Sequence, residues 1–221
     1  PLVAGAAALF QESYWARAGK PASPALVKAA LITAASDMAG GQDGYGGEMG
    51  AVPSNVQGWG RLALKDLVPE EGSAPDALFF DQKTILDDTG DSWETLALPL
   101  DPVRPLRVAL VWTDAPGFPG SSPVLVNDLD LEVESAGELY RGNVFLDGLS
   151  VPGGEPDPVN NVECVYLASP GPTVRIRVVA ANMAGNGVPS GDDTDQDFAL
   201  IIRGGTDQTS RGIVSLQRSA Y

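Results

Sequence analysis

The chain has 221 residues, 43% of them hydrophobic and 19% charged, a composition typical of a globular protein with one large domain or two small ones. With 14 Lys and Arg against 29 Asp and Glu, the net charge of −15 argues against nucleic-acid binding, which needs basic side chains to replace counterions. The sequence contains no histidine and one cysteine, Cys164, which excludes an internal Ser-His-Asp triad, an internal disulfide and a cysteine-based zinc site. No stretch reaches the roughly 20 apolar residues of a membrane-spanning helix.

Residues 1–18 predict a first helix that is almost entirely apolar and rich in small side chains. Pro1 suits the first turn of a helix, and Gly19 suits the left-handed position that ends one. A helix without a polar face is expected to be buried on most sides, in the middle of a larger domain. Because this helix stands at the start of the chain, we expect that a further part of the protein precedes Pro1.

A second helix is predicted over residues 24–35, where Ser23 provides the cap and a proline occupies the first turn. Residues 36–50 are rich in glycine and predict a surface loop, which a short helix follows at 62–67. The Pro-, Glu- and Gly-containing tract at 69–76 is typical of a linker, and a domain boundary is expected there.

Beyond the linker the hydrophobic pattern changes to the period of two that is typical of β-strands. The predicted strands cover residues 77–80, 92–98, 106–113, 129–134, 163–168, 173–180, 197–203 and 213–217. Short strands separated by turns, without helices between them, predict an antiparallel β-sandwich over residues 77–221, with a jelly roll as one topology of this kind. Cys164 falls within a strand, where a buried free thiol is expected.

Three segments of the first part resemble subtilisin-like serine proteases. Residues 1–9, Pro-Leu-Val-Ala-Gly-Ala-Ala-Ala-Leu, resemble the segment directly after the nucleophile motif Gly-Thr-Ser-Met-Ala-x-Pro of that family. Residues 23–31, Ser-Pro-Ala-Leu-Val-Lys-Ala-Ala-Leu, resemble its next helix, and residues 57–61, Gln-Gly-Trp-Gly-Arg, resemble the turn that ends its catalytic domain.

Four segments of the second part resemble the C-terminal β-domain of bacterial alkaline proteases of the oxidatively stable type. They are Leu-Val-Trp-Thr-Asp-Ala-Pro at 110–116, Val-Asn-Asp-Leu-Asp-Leu at 126–131, Asn-Asn-Val-Glu at 160–163 and Gln-Asp-Phe-Ala-Leu at 196–200. That domain is a jelly roll, distantly similar to the P-domain of proprotein convertases. The resemblance extends over nearly the whole chain, to about residue 205.

The resemblance implies that residues 1–68 are the C-terminal helices of an α/β subtilisin-like catalytic domain, followed by an all-β jelly roll. The parent would be a secreted, extracellular endopeptidase that cleaves protein or peptide substrates with an Asp, His and Ser triad. Its serine would lie shortly before Pro1, so no catalytic residue carries over to this chain, which by itself is expected to be inactive. The expected partner is the upstream catalytic portion of the same protein, with no nucleic acid and no membrane involved. Trp59, between two glycines, is expected to pack against the catalytic domain.

Acidic and amide side chains cluster in two segments of the predicted β-domain. These candidate metal ligands are Asn127, Asp128, Asp130, Asp157, Asn160, Asn161 and Glu163. Calcium takes six to eight oxygen ligands, so two converging loops of this kind suit it better than magnesium. Relatives of the type named above bind calcium, which the resemblance therefore implies as a cofactor. The alternative is that these side chains only cap turns by bonding to the backbone.

Other features have competing interpretations. The acidic run at 191–197 starts like an EF-hand loop but lacks its glycine and terminal glutamate, so a solvated hairpin turn is favoured. Asp37, Asp43 and Glu48 could also reach a cation. Aromatic side chains of the strands could line a sugar-binding face, although core packing is favoured: Phe79, Phe80, Trp93, Trp112 and Phe198. A non-catalytic binding or structural module for sugar or protein is thus the alternative function.

Overall fold

The computed structural model describes residues 1–68, 70, 76–188 and 194–204, and the backbone of residues 217–219. Most of the predicted linker at 69–76, part of the predicted hairpin turn at 191–197 and most of the predicted strand at 213–217 lie outside these described residues.

In the described part, three helices come first and the strands follow. The helices are α1 (Leu2–Ala18), α2 (Pro24–Thr33) and α3 (Leu64–Leu67). The strands are β1 (Ala77–Leu86), β2 (Ser92–Glu94), β3 (Leu98–Pro99), β4 (Leu106–Val111), β5 (Asp128–Ser135), β6 (Glu138–Arg141), β7 (Phe145–Leu146), β8 (Leu149–Ser150), β9 (Val162–Leu167), β10 (Thr173–Asn182), β11 (Gln196–Arg203) and β12 (Gln217–Ser219).

Two antiparallel sheets form a β-sandwich, as the period-two pattern predicted. The first sheet has the strand order β1-β11-β4-β9, and the second has the order β12-β2-β10-β5-β6, with β3 paired to β10. Along β10, Val174, Ile176 and Val178 are buried between the sheets while Arg175 is exposed, which confirms the predicted alternation. The core between the sheets includes the buried aromatic side chains Phe80, Trp93, Trp112 and Phe198.

The helices form a third layer on the outer face of the first sheet. A second hydrophobic cluster joins Leu26 and Ala30 of α2 to Ala109 on β4 and Ile201 on β11, all four fully buried. Helix α2 thus covers the face of the first sheet that points away from the sandwich core. This packing requires the strands at the centre of the first sheet to be apolar on both faces.

Helix α1 packs on the rest of the described chain through one face. Its buried side chains are Ala6, Phe10 and Tyr14, which recur every four residues and so lie on one face. Leu2 and Trp15 are 86% and 57% exposed. Within the described residues only one face of α1 is covered, so the burial on most sides that was expected in the middle of a larger domain stays a prediction.

The helix ends follow the predicted capping. Gly19 takes the left-handed conformation, with φ of 68°, and ends α1. Ser23 Oγ accepts a hydrogen bond of 3.0 Å from the backbone N–H of Leu26, which satisfies an otherwise free donor of the first turn of α2.

The hydrophobic pattern of the sequence did not predict strands β6, β7 and β8, which are four residues long or shorter. Strands of two residues carry no alternation that a pattern could detect. The Asp147-Gly148 pair between β7 and β8 was the available signal, because both residues have positive φ, 49° and 83°, as a tight hairpin turn requires.

Candidate metal centre

Strands β5 and β9 belong to different sheets and come together at one edge of the sandwich. Asp128 and Asp130 lie on β5, where they alternate with the core residues Leu129 and Leu131. Glu163 lies on β9, and its Oε2 accepts a hydrogen bond of 2.6 Å from the backbone N–H of Leu131. The structure therefore brings together carboxylates from the two sequence segments that were predicted to converge.

Three of these carboxylates each keep one oxygen buried without a hydrogen-bond partner among the described residues. The oxygens are Asp128 Oδ1, Asp130 Oδ1 and Glu163 Oε1. Buried polar atoms in proteins are normally paired, since an unpaired one costs about 1–3 kcal/mol, and more when it is charged. Three unpaired carboxylate oxygens at one edge are donors of the kind that a hard cation such as calcium prefers.

Burial and the shared negative charge of this cluster raise the pKa of three of its members. Burial raises the pKa of Glu163 to about 9, and the nearby Asp130, Asp157 and Asp128 add to this, against the lowering effect of the Leu131 N–H. Burial followed by the charge of Asp128 raises the pKa of Asp130 to about 6. Burial and the charge of Asp157 also raise the pKa of Asp128. A nearby cation would relieve this repulsion.

Asp157 is held differently, in the loop before β9. Partial burial pushes its pKa upward, but hydrogen bonds outweigh that effect and keep the pKa below its ordinary value. Asn143 Nδ2 and Asn160 Nδ2 donate to Asp157 Oδ2 at 2.6 and 2.8 Å, and the backbone N–H groups of Val159 and Asn160 donate to Oδ1. Asp157 is therefore ionised and fixed in place beside the three less satisfied carboxylates.

The turn after β6 covers the cluster, although it was not among the predicted site residues. Gly142 lies so close to Glu163 that a Cβ at this position would collide with the carboxylate. Asn143 has a positive φ of 61°. Its Nδ2 donates hydrogen bonds to Asp157, in the loop before β9, and to the Val162 carbonyl at the start of β9. Its Oδ1 accepts a hydrogen bond from the Cys164 N–H on β9. The Gly-Asn pair, typical of a tight turn, was the signal that could have drawn attention to it.

Arg141 is a cation close enough to the cluster to act on it. Burial and the charges of Asp128 and Glu132 raise the pKa of Asp130, and the charge of Arg141 offsets only part of this rise. Arg141 lies opposite Glu132 in the pairing of β5 with β6. Its Nη1 donates to the Gly154 carbonyl at 2.6 Å, whereas its Nε is buried without a partner among the described residues. One guanidinium leaves the four carboxylates with an excess of negative charge.

The predicted amide ligands Asn127 and Asn161 are occupied elsewhere. Asn127 is fully buried, and its Oδ1 accepts from the N–H groups of Ala184 and Gly185 at 2.9 Å each. Asn161 Oδ1 accepts from Lys28 Nζ at 3.1 Å, and its Nδ2 donates to the Trp112 carbonyl. These two amides hold loops together, as the turn-capping alternative proposed, and we leave them out of the ligand set.

The cluster is not a finished ligand shell. In the part of the chain that the structure describes, no three or more His, Cys, Asp or Glu side chains are arranged so that they could already hold a metal ion. Binding would therefore require the carboxylates of β5, β9 and the loop before β9 to approach one another, with neutral oxygens completing the shell. The donor chemistry fits calcium, while the arrangement calls for adjustment on binding.

The other candidates of the sequence are less suited to binding. The strand aromatics pack in cores rather than on an open face; Phe79, for example, contacts the rings of Phe10 and Tyr14 on α1. The ring centroid of Trp59 lies 6.1 Å from those of Phe145 and Tyr166, so Trp59 packs against the β-domain of this same chain. Asp43 is exposed, and its Oδ1 accepts from backbone N–H groups of its own loop.

Comparison with known proteins gives one weak relation. The chain is 27% identical over 198 residues to the serine protease/ABC transporter B family protein tagA of Dictyostelium discoideum. This relates the chain distantly to a serine protease. The match covers 83% of this chain but spans 10% of the length of that protein. No protein-family model matches the chain.

One residue type of the usual serine-protease catalytic set is missing from this sequence. The 221 residues contain no histidine, which a Ser-His-Asp triad needs as its general base. None of the helices in the described ranges is long and apolar enough to cross a membrane.

Proposed function

We propose that this chain is the C-terminal portion of a secreted, subtilisin-like serine endopeptidase and has a structural role in it. The similarity to tagA, whose name includes a serine protease, supports this proposal, and so do the seven segments that resemble subtilisin-like enzymes. In this proposal the N-terminal segment (residues 1–68) contributes the last helices of the catalytic domain. The sandwich is an accessory jelly roll, and the parent enzyme hydrolyses peptide bonds.

The observation that carries the structural role is the contact between the helices and the sandwich. Helix α2 buries Leu26 and Ala30 on the outer face of the first sheet, where Ala109 and Ile201 are fully buried beneath it. In subtilisin-like enzymes the serine precedes the first of these helices, whose N-terminal dipole favours the negative charge that develops during acyl transfer. A sandwich that holds α2 from behind would stabilise that part of the active site.

We propose in addition that the carboxylate cluster of β5 and β9 holds a calcium ion. Asp128, Asp130, Asp157 and Glu163 are the side chains that would contact it. Calcium would supply positive charge among these carboxylates and so link the two sheets at this edge. Its role would be structural, since the carboxylates that would contact it lie on both sheets of the sandwich.

The coding DNA upstream of Pro1 provides the direct test. We expect codons for Gly-Thr-Ser-Met shortly before Pro1 and Asp and His motifs further upstream. The longer protein should cleave casein and lose this activity when that serine is replaced by alanine. The purified 221-residue chain should leave casein intact. A start codon directly before Pro1, without protease motifs, would contradict the proposal and favour the non-catalytic binding module.

A further inference from the structure

The carboxylate cluster is connected to the N-terminal segment through the turn that covers it. Asn143 binds Asp157 through its side chain, and two residues later Phe145 begins the β7–β8 hairpin. The distance between ring centroids is 5.5 Å for Phe145 and Tyr166, and 6.1 Å both for Phe145 and Trp59 and for Tyr166 and Trp59. We call Trp59, Phe145 and Tyr166 the aromatic triad; it joins the N-terminal segment to two strands of the β-domain.

The same hairpin touches the N-terminal segment at a second point. A Cβ at Gly148, in the β7–β8 turn, would lie 3.1 Å from Ala51 Cβ and 3.4 Å from Asp37 Oδ2. The hairpin therefore packs closely against the loop before Trp59, and a shift of the hairpin would disturb both contacts.

A second connection runs from the loop before β9 to α2. Asp157 stands at one end of this loop, and Asn161 stands four residues later. Asn161 accepts from Lys28 Nζ on α2 at 3.1 Å and donates to the Trp112 carbonyl at 3.0 Å. The position of this loop therefore determines whether the hydrogen bond between Asn161 of the β-domain and Lys28 of the helical layer can form.

Both connections start beside Asp157: Asn143 donates a hydrogen bond to it, and Asn161 lies four residues after it in the same loop. Asp128, Asp130 and Glu163 each leave a buried oxygen without a hydrogen-bond partner among the described residues, and a cation could occupy the space that these oxygens face. A cation would draw Glu163 and Asp157 together. Gly142 lies against Glu163, and Asn143 donates a hydrogen bond to Asp157. The turn between β6 and β7 would therefore be held by both carboxylates.

We infer that a cation held by the carboxylate cluster also controls how firmly the N-terminal segment docks on the sandwich, through the Asn143–Phe145 turn and the Asn161–Lys28 hydrogen bond. This inference rests on the proposed calcium site. Coupling of this kind is reciprocal: if calcium strengthens docking, then docking strengthens calcium binding by the same factor. The aromatic triad consequently contributes to calcium affinity although its side chains are not ligands.

Amide hydrogen exchange of the full chain, with calcium chloride and with EDTA, tests the first half of the inference. We expect slower exchange in peptides covering 128–131 and 157–163, and also in peptides covering 51–61 and α2. At a calcium concentration about a hundred times the dissociation constant, openings that must release the ion become up to about a hundredfold rarer. Slower exchange confined to the cluster would overturn the inference while leaving the calcium proposal intact.

Calcium titration calorimetry of variants tests the reciprocal half. Trp59→Ala should weaken calcium binding about fivefold or more, the lower end of typical coupling between sites. Trp15→Ala is the matched control, because Trp15 is 57% exposed on α1, and it should leave the affinity unchanged. Equal calcium affinities of the Trp59→Ala variant and the unsubstituted protein would overturn the inference.

A second pair of variants, with more conservative substitutions, keeps the test valid if Trp59→Ala prevents folding. Phe145→Leu removes the aromatic contact and should weaken calcium binding, whereas Leu146→Ala, at a 63% exposed position of the same strand, should not. If the unsubstituted protein binds no calcium in calorimetry, the calcium proposal fails and this inference fails with it. That result differs from binding without any effect on residues 51–61, which overturns the coupling alone.

Discussion

Glu163 on β9 and the backbone of Leu131 on β5 are joined by a hydrogen bond of 2.6 Å between the two sheets of the sandwich. One oxygen of the Glu163 carboxylate accepts this bond, and the other is buried without a partner among the described residues. The same side chain thus links the two sheets and keeps a second, buried carboxyl oxygen without a hydrogen-bond partner among the described residues. Its charge, and any cation beside it, should therefore affect the stability of the whole sandwich.

Without metal, the stability of the protein should fall as the pH rises. Burial raises the pKa of Glu163 from 4.5 to about 9 in the folded state, so folding favours the protonated carboxyl. Its stabilising contribution is complete below the unfolded pKa and is lost progressively as the pH rises towards the folded pKa. Urea unfolding in EDTA should therefore show a loss of up to several kcal/mol between about pH 5 and 9, at roughly 1.4 kcal/mol per pKa unit.

Glu163→Gln should remove most of this pH dependence, because the amide does not ionise. Glu134→Gln is the control, since Glu134 is an exposed residue of β5. A pH slope that is identical in the Glu163→Gln variant and the unsubstituted protein would show that Glu163 is not its source.

Calcium should stabilise the protein against heat. A ligand that binds only the folded state, at about a hundred times its dissociation constant, contributes about 2.7 kcal/mol. For a chain of this size that corresponds to a rise in Tm of roughly 5–10 °C, measurable by calorimetry with calcium and with EDTA. Asp130→Asn should reduce the rise, while Asp147→Asn, at an exposed turn, should not. An identical Tm in calcium and EDTA would contradict a structural calcium site.

Asn127→Ala should destabilise the fold without changing the number of calcium ions bound. Asn127 Nδ2 donates to the Gly185 and Asp195 carbonyls and to Gln196 Oε1 at 2.8 to 3.1 Å. Removing this buried side chain leaves several polar groups unpaired and should cost about 2–4 kcal/mol in urea unfolding. Asn55→Ala, at an exposed position, should cost little. A lower calcium stoichiometry in the folded Asn127→Ala variant would restore Asn127 as a ligand.

Leu26→Ala should strongly weaken the packing of the helical layer. Leu26 is fully buried between α2 and the first sheet, and deleting such a side chain costs about 2–5 kcal/mol. Leu2→Ala, at an 86% exposed position of α1, should change the free energy of unfolding by less than about 0.5 kcal/mol. Equal small effects of the two substitutions would show that α2 does not dock on the sheet in solution.

The thiol of Cys164 should be unreactive in the native protein. It is fully buried under α2, and this burial raises its pKa above the ordinary value for cysteine, so almost no thiolate is present. We expect no reaction with a disulfide reagent such as dithionitrobenzoate until urea is added, when the single thiol of the chain should react. Rapid reaction without denaturant would indicate that the α2 layer opens readily.

Local patterns identified most of the strands and helix ends. The alternation along β10 and the capping by Ser23 and Gly19 depend on neighbouring residues alone, so they were predicted correctly. Strands β7 and β8 were missed because two residues carry no period. The face of α1 that packs on the rest of this chain could not be predicted, because apolar composition shows that a helix can be buried but not which of its faces meets a partner.

The sequence by itself determined the period-two β-domain, the helix caps, the absence of a histidine and the two acidic segments. Only the tertiary structure decided which of those acidic residues meet. Asp130 and Glu163 are far apart in the chain and become neighbours because β5 and β9, from different sheets, close at one edge of the sandwich. Asn127 instead accepts a hydrogen bond from the Ala184 N–H, and Asn161 accepts one from Lys28 on α2, because the hydrogen bonds of a side chain depend on the groups that folding brings within reach.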